Sequence, residues 1–277
     1  MIAAFVVELR ALRPGKLLNS SGTAVHGAWF RQLGAFNSAL VPGVHAAPSG
    51  SKPFTLSPLM GLPPAQEDGL HEFQAGQRAW LRICTLSAAL SRHMPAWLDA
   101  LPAELELSGT HWQVTARQTR ADEHPWAGAV SYLELRERAL ARRPVPHVWT
   151  LEFATPTAID GRNFLFPFPA PESLASSWME RWRTFSTLED WPAFSKEELK
   201  SLVRERLAVE SYNLRTVQVH LHNRPVPGCL GTVTFCAHDL PPEVCQALDA
   251  LMDYAFFCGS GYKTTQGWGQ TRLTDRK

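Results

Sequence analysis

The sequence predicts an α+β fold of two tandem domains, residues 1–143 and 144–277, each with the element order β-α-β-β-α-β. Three observations support this prediction. The length of 277 residues suits two domains at about 150 residues each. Alternating apolar segments and segments with a 3.6-residue apolar period follow the same order in both halves. The segment ARRPVPH, residues 141–147, comes after a helix-like stretch and has the prolines expected of a linker.

The first half opens with a strand over residues 1–10, in which Phe5, Val7 and Leu9 share one face. A helix over about 23–41 follows, because its apolar residues recur along one side. Those residues are Val25, Ala28, Trp29, Leu33, Phe36 and Leu40. The remaining elements are an extended KPFTLSPL segment, a strand over about 71–86, a helix that ends before Leu101–Pro102, and a strand at WQVTARQ.

The second half repeats this order. Its elements are a strand at VWTLEFATPT, helices over about 172–185 and 194–207, a hairpin of TVQVHLH and CLGTVTFCA, a helix over about 242–257 with the cap-like segment DLPPE before it, and a last strand. The alternation is strictest in TVQVHLH, where Val217, Val219 and Leu221 share one face.

Two such units in tandem indicate paired ferredoxin-like domains. The same topology underlies RNA-recognition domains, so it favours an RNA ligand without establishing one. Lys+Arg 27 and Asp+Glu 26 leave a net charge of only +1. This balance excludes a histone-like protein that holds nucleic acid by a general positive field, so an anionic ligand must be met by a local patch.

The chain is expected to be soluble and cytoplasmic, with no membrane partner. Its five cysteines include no C-x-x-C pair and are interpreted as reduced thiols. The opening MIAAFVVELRAL lacks a basic start and soon reaches Glu8, unlike a signal peptide. The longest apolar helical run, near 247–258, contains Asp249 and Asp253 and is therefore unsuited to crossing a bilayer.

The most specific motif is a glycine-rich segment that follows the last predicted helix. It contains Gly259, Gly261, Lys263, Gly267 and Gly269. Glycines permit positive φ and let backbone N–H groups approach a phosphate, to which the lysine adds charge. A P-loop requires glycine directly before the lysine, and a dinucleotide-binding motif should open a βαβ unit; neither holds here. A phosphate-binding loop and a glycine-kinked turn without a ligand both remain open.

This segment, FFCGSGYKTTQGWGQTR, resembles the C-terminal motif of the Cas-six family, CRISPR-associated endoribonucleases of the repeat-associated mysterious protein superfamily. The segments LEFATPT, FPFPAPESLASSWMERWRTF, SYNLRTVQVH and PGCLGTVTF follow the order typical of that family's second half. VHAAPSGSKPFTLSPL resembles its N-terminal signature. The resemblance covers most of the chain and is sparse over residues 85–140.

The resemblance implies metal-independent cleavage of precursor CRISPR RNA within its repeats. The ribose 2′-OH would attack the adjacent phosphorus and leave 2′,3′-cyclic phosphate and 5′-OH ends. His45 matches the family's catalytic histidine by its place before Lys52, which matches a lysine that offsets developing negative charge. The tyrosine that some members carry on the first helix is missing from residues 28–30, and His26 on that helix is the alternative acid or base.

CRISPR repeat RNA is the partner that the resemblance implies. The candidate RNA-binding residues are Gly259, Gly261, Lys263, Gly267 and Gly269 in the loop, with Arg142 and Arg143 near the linker. These two arginines form one cluster with Arg136 and Arg138. The alternative to phosphate contact is that the cluster is a solvent-exposed helix face. No cofactor or metal is expected, because His220 and His222 share a strand face without a third ligand at metal spacing. The chain is expected to be a monomer or homodimer.

Two other classes of protein stay open. A non-catalytic RNA-binding scaffold, as a subunit of a CRISPR effector complex, would need no acid–base pair such as His45 with Lys52. Other subunits of such a complex would then be its partners. A metabolic enzyme that uses the glycine loop for a nucleotide would instead bind mononucleotides.

Overall fold

A computed structural model of the chain describes residues 1–45, 52–161, 163–188, 191–221 and 224–277. Its contacts form two compact units. The first comprises residues 1–129, 218–226 and 263–268, and the second comprises residues 130–217, 227–262 and 269–277. The boundary between two domains at residues 143 and 144, predicted from the sequence, stays a prediction. No helix within the described ranges is both long and apolar enough to cross a membrane.

The leading part of the chain is organised around an antiparallel sheet. Its elements are β1 (Ile2–Ala11), β2 (Gly15–Leu18), α1 (Ser21–Phe36), α2 (Leu40–His45), β3 (Phe54–Leu56), β4 (Leu70–Phe73), β5 (Arg78–Thr85), α3 (Ala88–Ser91), α4 (Met94–Asp99), β6 (Glu104–Leu107), β7 (Thr110–Gln118) and β8 (Gly128–Val130). The strand order is β3-β5-β1-β7-β6, with β8 paired to β1, while β2 and β4 form a separate sheet. Without β6, this is the order of a ferredoxin-like sheet.

One face of this sheet carries the core of the first unit. Phe5, Val7 and Leu9 of β1 are buried together with Val25 and Trp29 of α1. Each such side chain contributes about 1.5–3 kcal/mol when it is fully buried. The alternation that predicted β1 and the 3.6-residue period that predicted α1 therefore describe the two surfaces that meet here.

Three predicted elements of the first unit are interrupted in the structure. The helix predicted over 23–41 is interrupted after Phe36, where Asn37 Oδ1 accepts a hydrogen bond from the Ala39 N–H at 3.1 Å and turns the chain. The helix predicted before Leu101–Pro102 is likewise two short helices, α3 and α4. The strand predicted over 71–86 is broken by a turn in which Gly76 has φ of 83°.

The second unit has the same sheet order. The elements that follow β8 are α5 (Tyr132–Ala141), β9 (Val148–Thr157), β10 (Ile159–Asp160), β11 (Leu165–Phe166), α6 (Pro171–Phe185), α7 (Lys196–Arg206), β12 (Leu207–Leu221), β13 (Arg224–Ala237), α8 (Pro242–Cys258) and β14 (Thr271–Arg276). The sheet runs β12-β13-β9-β14, and β9 is antiparallel to both of its neighbours. The predicted α+β fold with tandem ferredoxin-like units is confirmed.

Local signals explain where the helices α6 and α7 of this unit begin. α7 begins with a capping box, in which the Ser195 hydroxyl accepts from the Glu198 N–H while the Glu198 carboxylate accepts from the Ser195 N–H. α6 has Pro171 in its first turn, where a missing N–H costs nothing. The strand β12 begins well before the predicted segment TVQVHLH. The prediction missed residues 208–216 because most of them are exposed and show no alternation of apolar and polar residues.

A buried carboxylate ties α5, α8 and two strands of the second unit together. Asp249 of α8 is fully buried and forms ion pairs with Arg142 and, at 3.0 Å, with Arg276 Nη1. It also accepts a hydrogen bond from Trp149 Nε1 at 3.0 Å. Arg276 pairs in addition with Asp253 at 2.6 Å. Burial raises the pKa of Asp249, and Arg276 and Arg142 counter that shift.

Asp249→Asn is expected to lower the free energy of unfolding by about 1–3 kcal/mol, because two partly buried guanidinium groups lose one of the two carboxylates that they share and keep Asp253. The control is Glu134→Ala, which removes an exposed pair with Arg138 and should cost less than about 1 kcal/mol. Urea unfolding of both variants measures the difference. Equal losses would show that the Asp249 cluster is not a principal support of the unit.

Candidate active site

His26 is the most constrained of the three candidate catalytic residues. It lies on the half-buried side of α1, and its Nδ1 is 2.8 Å from the backbone carbonyl oxygen of Thr265 in the glycine-rich segment. A carbonyl oxygen only accepts hydrogen bonds, so a hydrogen bond between these two atoms requires a proton on Nδ1. Both residues belong to the first unit.

Aromatic rings pack against His26, and one of them, Phe30, also contacts the His45 ring. The Phe30 ring lies 4.8 Å from the His26 ring and 5.5 Å from the His45 ring, centroid to centroid. Phe54, fully buried in the KPFTLSPL segment, lies 5.7 Å from Phe30 and 6.0 Å from His26. The structure therefore gathers the two histidines around one phenylalanine ring.

Lys52 completes this group. Its Nζ donates a hydrogen bond to the backbone oxygen of His45 at 2.8 Å. His45 is exposed at the end of α2, while Lys52 is partly buried just before β3. An ammonium group has three N–H donors, so Lys52 can contact an anion while it keeps this bond. The sequence-predicted residues His26, His45 and Lys52 thus lie together, and their catalytic roles stay predictions.

The environment of His26 favours its neutral form. Burial lowers the pKa of its imidazole below the usual 6.5, and the nearby positive charges of Lys52 and His45 act in the same direction. The hydrogen bond to Thr265 opposes the shift without cancelling it. A histidine with a lowered pKa is unprotonated near neutral pH and can accept a proton at its second nitrogen.

The loop that supplies the Thr265 carbonyl is held by close backbone packing. Lys263 adopts a left-handed conformation with φ of 47° and precedes a 3₁₀ turn over Thr264–Gln266. The turn packs against α1 and β3. A Cβ on Gly22 of α1 would lie 2.0 Å from the Gln266 carbonyl oxygen, and one on Gly267 would lie 2.8 Å from the Cα of Gly22. Only glycine at these positions lets the helix and the turn approach so closely.

The other candidate loop residues have different surroundings. Burial lowers the pKa of the Lys263 ammonium. Gly259, Gly261 and Gly269 belong to the second unit and all have positive φ. A Cβ on Gly261 would lie 2.2 Å from the Ala158 oxygen, and one on Gly269 would lie 2.0 Å from the Ser260 oxygen. Backbone packing by itself accounts for glycine at these two positions, and their contact with RNA stays a prediction.

The two candidate arginines make contacts inside the second unit. Arg142 pairs with Asp249 and Asp253, as described for the fold. Arg143 Nη1 donates to the backbone oxygens of Leu140 and Arg142 at 2.7 and 2.6 Å. The charge of Arg142 is thus balanced by carboxylates, and RNA binding by either arginine stays a prediction.

The sequence analysis did not identify three groups that shape this site. Phe30 lies one helical turn after His26 on the same side of α1, a spacing that could have indicated the contact. Phe54 falls in the quoted KPFTLSPL segment. The Thr265 carbonyl is a backbone atom, for which a sequence has no direct signal. Among the described residues, no three His, Cys, Asp or Glu side chains are grouped as metal ligands would be; His222 lies outside those residues.

Comparisons with known proteins agree with this architecture. Residues 151–271 match the family model described as CRISPR-associated endoribonuclease Cas6. A product complex of Cas6 (TTHB231) from Thermus thermophilus is 30% identical, covers 99% of this chain and 100% of that one, and superposes with a TM-score of 0.80. A product complex of Cas6 (TTHA0078) is 26% identical over 99% of both chains, with a TM-score of 0.76.

A curated relative, the CRISPR-associated endoribonuclease Cas6 of Streptococcus thermophilus, is 24% identical over 129 residues. That match spans 47% of this chain and about half, 51%, of the relative. These similarities define the class of the chain, that of the CRISPR-associated endoribonucleases. The chain belongs to the Cas6 family.

Gly22→Ala is expected to displace the 264–266 turn, because the new Cβ would overlap the Gln266 carbonyl oxygen. We expect the free energy of unfolding to fall by about 1–3 kcal/mol, the cost of overpacking. Gly34→Ala in the same helix is the matched control, since its Cβ would meet only Val41 at 3.6 Å and alanine favours helix by up to about 1 kcal/mol. If both variants were equally stable, the close approach of helix and turn would not be a constraint.

Proposed function

We propose that this chain is an endoribonuclease that cleaves precursor CRISPR RNA within its repeats and does so without a metal ion. The observation that carries the proposal is that the rings of His26 and His45 both contact Phe30, while Lys52 donates to the His45 backbone. It combines two groups for proton transfer with a cation for the phosphate. Membership of the Cas6 family supports RNA as the substrate.

The reaction is a transesterification in which no water is consumed. A base removes the proton of the ribose 2′-OH, and the 2′ oxygen attacks the adjacent phosphorus. The bond from phosphorus to the 5′ oxygen of the next nucleotide breaks, and an acid delivers a proton to that oxygen. The products are a 2′,3′-cyclic phosphate and a 5′-OH. One proton acceptor, one proton donor and a cation for the developing charge are therefore required.

The three residues meet these requirements. The two histidines can serve as acceptor and donor, because a neutral imidazole can accept a proton and an imidazolium can donate one. Lys52 can place N–H donors on the phosphate oxygens while its bond to the His45 backbone limits its movement. Lys263 and the glycine-rich loop would contact further phosphates, which fits a chain with a net charge of only +1. Two solved Cas6 structures that are similar to this chain are product complexes, which supports binding of the reaction product by this chain as well.

Cleavage of a cognate repeat RNA is expected to proceed equally with and without EDTA, because side chains perform the proton transfers and bear the charge. A single 2′-deoxy substitution at the scissile nucleotide should abolish cleavage, since it removes the nucleophile. Gel analysis of the fragments and of their end groups makes the measurement. A strict requirement for Mg²⁺ or Mn²⁺ would rule this mechanism out.

His45→Ala and His26→Ala are each expected to lower the cleavage rate by roughly 10²–10⁴-fold, the usual contribution of a general acid or base. Binding of the 2′-deoxy repeat RNA should persist in both. The control is His111→Ala, which removes an exposed histidine of β7 in the same unit and should leave the rate unchanged. If the wild-type chain binds repeat RNA tightly but never cuts it, the non-catalytic scaffold is the correct function.

A further inference from the structure

We infer that the Thr265 carbonyl is a positioning group that holds His26 as its Nδ1–H tautomer, so that Nε2 is the nitrogen that accepts the proton of the 2′-OH. This inference rests on the proposed function for the identity of the reaction. The tautomer itself is a property of the free protein and can be measured without RNA.

The hydrogen bond determines which nitrogen is free. A neutral imidazole has one N–H and one lone-pair nitrogen. Since Nδ1 is 2.8 Å from an oxygen that can only accept, the proton is on Nδ1 and the lone pair is on Nε2. A histidine free in water prefers the opposite tautomer, so the loop changes the chemistry of the ring as well as its orientation.

The ring cannot easily escape this arrangement. Phe30 and Phe54 pack against it at centroid distances of 4.8 and 6.0 Å. Turning the ring over would break its bond to Thr265 and leave that carbonyl without its imidazole donor, which is unfavourable at a half-buried position.

The charges around His26 keep it in the form that accepts a proton. Lys52 approaches from the segment before β3 and His45 from the end of α2, and both lower its pKa together with burial. No carboxylate contributes to the shift of His26 among the described residues. The group is therefore neutral at a pH where an ordinary histidine is partly protonated, and the two neighbours remain for the phosphate and the leaving oxygen.

The carbonyl is in turn positioned by glycines on both sides of the contact. Gly22 touches the backbone of Gln266 and Gly267, and Gly267 approaches the backbone nitrogen of Pro58, where a Cβ would lie 2.9 Å away. The Gln266 N–H donates to the Lys263 oxygen at 2.8 Å and closes the turn. Gly267 and the turn before it thus affect the reaction by positioning His26. This effect is separate from any contact of the glycine-rich segment with phosphate.

The first test is the tautomer of His26 in the full-length chain labelled with ¹⁵N-histidine. Long-range ¹H–¹⁵N correlation spectra at pH 8 distinguish protonated from unprotonated ring nitrogens, and loss of one set of signals in His26→Asn assigns His26. We expect that Nδ1 is protonated and that Nε2 is unprotonated. A bare Nδ1, or a mixture like that of free histidine, would overturn the inference.

The second test separates positioning from simple structural support. Gly22→Ala should lose the Nδ1–H tautomer and lower kcat for repeat RNA by at least about tenfold, while Gly34→Ala should change neither. If Gly22→Ala does not fold, His26→Asn and His26→Gln are compared by urea unfolding instead. The Asn amide can donate to the Thr265 oxygen from the place of Nδ1 and the Gln amide cannot, so His26→Gln should unfold at a lower urea concentration. A folded Gly22→Ala that kept the tautomer, or equal stability of His26→Gln and His26→Asn, would contradict the role of the loop.

The third test is the pH dependence of kcat/KM, which reports the protonation of the free enzyme. A proton acceptor must be neutral, so the rate falls as pH drops through its pKa. Because that pKa is lowered, the acid limb should lie below pH 6.5. An acid limb at or above 6.5 would contradict His26 as the acceptor. If the tautomer is as expected but RNA is never cut, the positioning stands and the proposed function fails.

Discussion

The close approach of α1 to the turn at 264–266 is the constraint on which the site depends. Two glycines make it possible, Gly22 on the helix and Gly267 after the turn. This approach sets the distance between the His26 ring and the Thr265 carbonyl, and through Phe30 it relates His26 to His45. Because protein interiors tolerate little change of volume, one added methyl group at this contact affects the whole site.

The periodicity of apolar residues predicted those helices and strands that have one buried face and one solvent-exposed face. The stripe of α1, with Val25 and Trp29, and the alternation of β1 each match a buried surface. The prediction was incomplete where that contrast is weak. Most of β12 between residues 208 and 216 is exposed, so its sequence has no alternation to detect. The end of α1 was missed because the side chain of Asn37 competes for a backbone N–H, which is a local effect.

The candidate site could be predicted in its titratable residues but not in their partners. His45 and Lys52 stand out through the KPFTLSPL signature, and the structure brings them together with His26. The partner of His26 is a backbone oxygen 239 positions away, and the partner of Arg142 is a carboxylate 107 positions away. Neither pairing leaves a pattern in the sequence, because each depends on how distant segments pack.

Several arginines of this chain serve its own backbone. Arg117 caps the Leu98 and Leu101 oxygens, Arg183 the Phe194 oxygen, and Arg31 the Glu106 oxygen. Each of these guanidinium groups satisfies a carbonyl that would otherwise need water. Each of these arginines keeps its positive charge, but some of its N–H donors are already occupied and are not available to phosphate oxygens.

The sequence separation of His26 and Thr265 also has a consequence for biosynthesis. The first unit closes only when residues 263–268 join the strands and helices made from residues 1–129. A nascent chain therefore carries both histidines long before it has the carbonyl that orients one of them. Contacts of such long range also slow folding, because the intervening chain must be ordered first. The contact between His26 and the Thr265 carbonyl can therefore form only after a further 239 residues have been added to the chain.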